Sequence, residues 1–332
     1  MSPRRTSGRK RVVTIGGGNG QFVVLSGLKH HPVDLTAVVN VSDNGGSSGR
    51  LRDEFGHLPP GDLRQCLVAL APDDEQGSLL RGLFDYRFTQ GDGLNGHSFG
   101  NLFLTALTVL TGSMAQAIEE ASRLLGIRGR VLPVSLTDAT LVARLSDGSR
   151  LVGETLIDHR RPIQGVAVEE VFLDPPAQAL PEVLAAIEQA ALVVIGPGDL
   201  YTSILPNILT RGVAEALQRR RGRCVLVGNL MTKPGETDGF TASRFLSELR
   251  RYIGQPVVDY LLVNSQPIPK AVLQRYAQEG AYPVPVDEEA LTSQDVRLVC
   301  RPLLAEGDLA RHDPVSLGSA LMETLEDRGG DL

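Results

Sequence analysis

Val12-Val13-Thr14-Ile15-Gly16-Gly17-Gly18-Asn19-Gly20, a helical stretch from Gln21 to Lys29, then Leu35-Thr36-Ala37-Val38-Val39-Asn40-Val41: this opening decides the fold. Both apolar runs are rich in β-branched residues and do not alternate with polar ones, so they read as strands buried on both faces. Strand, glycine turn, helix and strand within about 30 residues make a βαβ unit, which implies a right-handed crossover and a parallel sheet.

Runs of the same kind recur at Ala191–Ile195, Cys224–Val227 and Tyr260–Val263, between helical patterns at Glu182–Gln189, Val213–Arg221 and Ala242–Tyr252. The alternation predicts an α/β chain with a Rossmann-like, doubly wound, mostly parallel sheet built from both ends of the sequence. The middle differs. Asp62–Ala71, Leu79–Phe88, Ser98–Leu110 and Met114–Leu125 read as a helical insert over 62–125. Val131–Ser135, Thr140–Leu145 and Leu151–Thr155 follow as strands, the last two flanking the turn Ser146-Asp147-Gly148-Ser149, and predict a small antiparallel β patch over 131–173. The expected division is a disordered basic tail (1–10), a single nucleotide-binding domain (11–320) and an acidic tail (321–332).

Thirty-three Lys and Arg against 39 Asp and Glu leave a net charge of −6, which argues against a dedicated nucleic-acid binder. No apolar run approaches the roughly 18 residues of a membrane span, so membrane insertion is not expected. The basic residues before Val12 precede no apolar signal core. Cys66, Cys224 and Cys300 are widely spaced and suit a reducing compartment, so the expected location is cytoplasmic. The sequence leaves a homo-oligomer open. Thirty-six glycines point to tight turns and close backbone approach, a feature of phosphate-handling chains.

Four polar, glycine-bearing loops follow strands, at the edge of a parallel sheet where ligands bind. In the first, Gly17, Gly18, Asn19 and Gly20 offer a phosphate cradle or a plain tight turn. It is not a dinucleotide fingerprint, because the third glycine would fall at Gln21 and the second strand leads to Asn40 instead of an acid; NAD is disfavoured. In the second, Asp43, Asn44, Ser47, Ser48, Arg50 and Arg52 combine an acid, hydroxyls and guanidinium groups, with Asp43 a candidate Mg²⁺ ligand or base. In the third, Gly198, Asp199, Tyr201, Thr202 and Ser203 repeat the logic of the first loop in the other half of the sheet. The fourth, Gly228–Gly239, carries Asn229 and Thr232. Two further segments have polar starts. Asp62 follows Pro59-Pro60-Gly61 as an expected helix N-cap, with Arg64 beside it. His97, Ser98 and Asn101 open a long apolar helix, where His97 suits either an acid or a structural donor.

Ile15–Gly20, Asp43–Arg52, Pro60-Gly61-Asp62-Leu63-Arg64, Gly96-His97-Ser98-Phe99-Gly100-Asn101, Gly196–Ser203 and Pro234–Gly239, in that order, resemble the gluconeogenesis-factor (YvcK-type) family, within the CofD-like superfamily of 2-phospho-L-lactate transferases. The resemblance implies a Rossmann-like core binding a UDP-sugar such as UDP-N-acetylglucosamine, and a role in carbon and cell-wall metabolism and cell shape. It implies uracil or ribose contacts for Tyr276 and Arg311. The transferase branch moves phospholactate from a nucleoside diphosphate carrier with a divalent metal; on that reading Asp43 and His97 are the catalytic candidates and Asp43 the Mg²⁺ ligand. Asn19 stands where the family pattern has threonine and Asn44 where it has a second aspartate, which removes one carboxylate from a metal pair. The reading is therefore a UDP-sugar-binding regulator, with a Mg-dependent phosphotransferase as the competing one.

Overall fold

In the computed structural model, which describes residues 8–327 apart from Asp92 and Gln255, the two opening runs become β1 (Lys10–Gly16) and β2 (Val33–Val39), paired in parallel. The remaining strands are β3 (Arg130–Pro133), β4 (Thr140–Leu145), β5 (Arg150–Val152), β6 (Val168–Asp174), β7 (Leu192–Ile195), β8 (Arg223–Val227), β9 (Tyr260–Asn264) and β10 (Arg297–Arg301). Seven of them form one sheet in the order β10-β9-β8-β7-β1-β2-β3, every neighbouring pair parallel. The other three form an antiparallel sheet, β5-β4-β6. The chain is thus α/β and doubly wound, with the strand order reversing between β1 and β7.

The early helices are α1 (Gly18–Leu28), α2 (Gly46–Phe55), α3 (Gly61–Leu70), α4 (Glu75–Asp85), α5 (Phe99–Thr111), α6 (Met114–Leu125) and α7 (Glu154–Asp158). The later ones are α8 (Pro181–Gln189), α9 (Leu205–Leu209), α10 (Val213–Arg219), α11 (Ala242–Ile253), α12 (Lys270–Gln278), α13 (Glu288–Thr292) and α14 (Pro314–Glu326). α1 packs on α3 and α14, while α8, α10 and α11 pack together. The contact of α1 with α14 is close enough that a Cβ on Gly27 would lie 2.0 Å from the Pro314 carbonyl oxygen. Between the helices, Leu192 to Ile195 and Val12 to Ile15 are buried, as expected for central parallel strands. No described helix is long and apolar enough to cross a membrane.

Four boundaries differ from the sequence reading. Lys10 already pairs with Val33, so β1 begins inside the stretch read as a tail; residues 1–7 lie outside the described residues. α14 runs to Glu326 because its apolar face docks on α1, which puts helix where an acidic tail was expected; residues 328–332 lie outside the described residues. β3, read as part of the antiparallel patch, pairs with β2 and extends the main sheet. The second loop ends at Gly45, and Gly46 to Arg52 form the first turns of α2, where sequence alone suggested an irregular Gly/Ser segment.

A carboxylate-lined candidate site at the strand-order reversal

The loops after β1 and β7 face each other where the strand order reverses, the ligand-binding position of doubly wound sheets. α1 starts at Gly18 with Gly17 as N-cap and no side-chain cap, so its first N–H groups stay available. Glycine is required by space at position 20, where a Cβ would lie 2.0 Å from the Pro197 carbonyl oxygen; a Cβ on Gly17 would lie 2.3 Å from Asp62 Oδ2 and push that carboxylate aside. After β7, residues Leu200–Ile204 form a π-helical turn that presents Thr202 and Ser203.

Three asparagines tie these loops together. Asn40 Oδ1 accepts from the Ser42 N–H (3.0 Å) and hydroxyl (2.8 Å), and its amide donates to the Thr202 carbonyl at 3.4 Å. Asn207 Nδ2 donates to the Gly16 and Ser203 carbonyls, each at 3.0 Å. Asn229 brackets one residue, accepting from the Gly198 N–H at 3.5 Å and donating to the Gly198 carbonyl at 2.9 Å.

The resulting cleft has a volume of about 410 Å³ and is lined by Gly17 to Gly20, Asn40, Asp43, Asp62, Glu154, Gly198, Asp199, Thr202 and Ser203. A hollow of about 170 Å³ shares Asn19, Gly20, Gly198 and Asp199 with it and continues to Asn229, Tyr276, Arg311 and His312, with Val23, Leu230 and Met231 as apolar wall. Loops from separate strands therefore meet in one cleft, as the sequence reading requires.

Its electrostatics are unexpected. Asp43 is held by the Gly45 N–H at 2.7 Å, yet burial raises its pKa. Burial, then the charge of Asp43, lifts Asp62 to about 7, although the Gly18 N–H pulls the other way. Glu154 is pushed up to about 8 by burial and by the charges of Asp43, Asp158, Asp62 and Asp199. Burial also raises Asp199, against the pull of Lys233. Lys233 Nζ lies 2.8 Å from Asp158 Oδ1 and 3.3 Å from Asp199 Oδ2. Hard oxygen donors crowded in a polar cleft suit a divalent cation such as Mg²⁺, and Asp43 with Asp62 would hold it there.

The three arginines expected to supply positive charge are engaged elsewhere. Arg50 is exposed and donates to the Asn95 carbonyl (3.0 Å). Arg52 pairs with Asp138 at 2.5 Å and reaches Thr140 Oγ1 at 3.3 Å. Arg64 pairs with Asp85 and the Phe84 carbonyl. Asp62 does not cap α3, whose N-cap is Pro60; its carboxylate turns into the cleft. Tyr201 is fully buried among core residues and lines neither hollow. Thr232 is spent on a main-chain clasp with Tyr282, accepting from its N–H at 3.0 Å. His97 is buried with its Nδ1 3.0 Å from Ser47 Oγ, and Asn101 reaches Ser47 and Ser48 at 3.2 and 3.4 Å, so this group buttresses α2, while Ser48 also hydrogen-bonds Asp43 at the cleft. Asn44 also faces away, its Oδ1 accepting from the Thr155 N–H (2.9 Å) and hydroxyl (3.0 Å).

The sequence reading missed Asn40, Glu154, Asp158, Lys233, Glu236 and His312. Glu154 and Asp158 sit on the short α7, which carries no glycine motif; Lys233 and Glu236 lie in the fourth loop, where only Asn229 and Thr232 were singled out.

Residues 12–304 match the family model described as 2-phospho-L-lactate transferase CofD. The chain is 44% identical over 317 residues to the gluconeogenesis factor of Halalkalibacterium halodurans, spanning 95% of this chain and 96% of that protein. It is 40% identical over 321 residues to the gluconeogenesis factor of Bacillus subtilis, spanning 96% and 99%. A crystal structure of a Bacillus halodurans member of the UPF0052 family superposes with a TM-score of 0.90 at 44% identity, over 95% of this chain and 99% of that one.

Proposed function

Taking as premise that the chain belongs to the CofD family and resembles its gluconeogenesis factors over nearly its whole length, we propose that it is a cytoplasmic UDP-sugar-binding regulator of carbon and cell-wall metabolism and of cell shape. One observation carries the reading: the glycine loops after β1 and β7 touch across the strand-order reversal, with the uncapped start of α1 facing the same cleft. The diphosphate lies along Gly17 to Gly20 and Gly198 to Ser203. The adjoining hollow, with Tyr276 beside an apolar wall and Arg311, takes the uracil and ribose. A diphosphate and four cleft carboxylates repel, so binding requires a divalent cation between them or proton uptake by the acids. When bound, the cation supplies charge neutralisation; Asp43 and Asp62 hold it, and the backbone N–H groups orient the phosphates.

Thermal unfolding with UDP-N-acetylglucosamine, GDP or NAD, each with and without Mg²⁺, tests this. A ligand at 100 times its Kd stabilises by about 2.7 kcal/mol. The expected outcome is stabilisation by the UDP-sugar, larger with Mg²⁺, and recovery of the ligand unchanged. Absence of a shift with every nucleotide would reject the reading. The second reading, a phosphotransferase, draws on Asp62, a buried acid held near 7 beside Asp43 that can take a proton from an acceptor hydroxyl at neutral pH. Mg²⁺-dependent consumption of a nucleotide donor, abolished in Asp62→Asn, would select it.

A further inference from the structure

We propose that Asp158, Asp199 and Glu236 form a divalent-cation site distinct from the Asp43–Asp62 pair, in which the ammonium of Lys233 is the exchangeable occupant. The three carboxylates come from separate elements: α7, the loop after β7 and the loop after β8. Each offers an oxygen, and these lie within 4.8 Å of one another, the span of oxygen ligands around one hard cation. Glu236 supplies the independent observation. It is 4% exposed, and neither Oε1 nor Oε2 has a hydrogen-bond partner.

An orphaned buried carboxyl is costly in either protonation state. Ionised, it faces two further carboxylates with no hydrogen-bond donor and only the more distant charge of Lys233 to offset it; protonated, it still leaves a buried oxygen unpaired. Coordination to a cation removes both problems. The charge count agrees: three carboxylates face one ammonium, and Lys233 reaches only Asp158 and Asp199, leaving Glu236 without a contact to it. Asp199 lines the cleft and Asp158 is partly exposed, which gives an ion a way in, and the partly exposed Lys233 has a way out. An all-oxygen donor set selects Mg²⁺, Mn²⁺ or Ca²⁺ over softer metals. The site stands without the nucleotide. On the reading proposed above, exchange has a further effect, because the displaced ammonium becomes available to a phosphate in the cleft.

The test uses the full chain, freed of metal with chelator and titrated calorimetrically with Mn²⁺ without nucleotide. Glu236→Gln is expected to weaken Mn²⁺ binding at least tenfold, the low end of the 10–100-fold losses seen on altering a metal's surroundings. Lys233→Met is expected to tighten it by about tenfold, since a competing cation is removed. Acetylation of Lys233 by an activated ester, followed by mass spectrometry, is expected to rise when Mn²⁺ is added to the wild type. Glu236→Gln binding Mn²⁺ as the wild type does would overturn the proposal, as would loss of Mn²⁺ binding in Asp62→Asn but not in Glu236→Gln. Should Glu236→Gln fail to fold, Lys233→Met and the acetylation decide: unchanged affinity and unchanged labelling reject the site. Nucleotide stabilisation is measured separately, so either proposal fails without the other.

Discussion

Asp62 shows how a residue can be identified by type yet misread in role. The Pro-Pro-Gly turn before it advertises a helix start, and a cap is the ordinary use of an aspartate there. Its carboxylate instead faces Asp43 and the Gly18 N–H, in a burial that no local pattern encodes. Because its folded pKa of about 7 lies above the usual 3.8, the protonated form is favoured in the native state. The resulting stability is present below about pH 4 and is lost as pH rises through 7. Asp62→Asn cannot ionise, so its advantage over the wild type should grow between pH 4 and 7, reaching about 2–4 °C in Tm at pH 8. Parallel stability curves would contradict the assigned shift. The arginines teach a related lesson. Residue type made Arg50 and Arg52 look like phosphate ligands, but Asp138, the partner of Arg52, is remote in sequence and invisible to motif reading. Arg50→Ala is accordingly expected to leave nucleotide affinity within about twofold, a difference of about 0.4 kcal/mol; a larger loss by calorimetry would place its side chain at the ligand.

At the level of elements, the strands were the most legible part, because central parallel strands must be apolar on both faces and advertise it as unbroken runs such as Leu192 to Ile195. Amphipathic or short elements were less so. α2 was hidden by its Gly-Ser-Ser-Gly opening, and α7 is only five residues long. The backbone contact of the β1 and β7 loops yields a sharp expectation. Gly20→Ala introduces a Cβ into the Pro197 carbonyl, which the chain relieves only by moving one loop off the other. We expect a cost of about 1–3 kcal/mol in urea unfolding, with loss of the nucleotide-induced thermal shift. Retention of that shift would mean that the two loops do not act as one cradle.

Across the whole molecule, the sheet is closed at its amino-terminal edge, opposite the cleft. Asp327, just past α14, has a buried side chain; its carboxylate takes the Arg297 guanidinium at 2.9 Å and the Tyr260 hydroxyl at 2.7 Å, with Arg223 at 3.9 Å. These are the first residues of β10, β9 and β8, so one side chain gathers three strands. Asp327→Ala should cost about 2–4 kcal/mol, lowering the urea midpoint with unchanged slope, and should leave nucleotide affinity intact; weakened affinity would show that the two ends communicate. The small antiparallel sheet has the opposite relation to the cleft. α7 follows β5 in the chain and packs on β4 and β5, and Asn44 latches that helix through Thr155, so Glu154 reaches the cleft from a piece outside the main sheet. The hairpin is thereby a handle on the pocket. Whatever grips it and thereby displaces α7 changes the charge the ligand meets, and thermodynamic reciprocity obliges the ligand to alter that grip by the same factor.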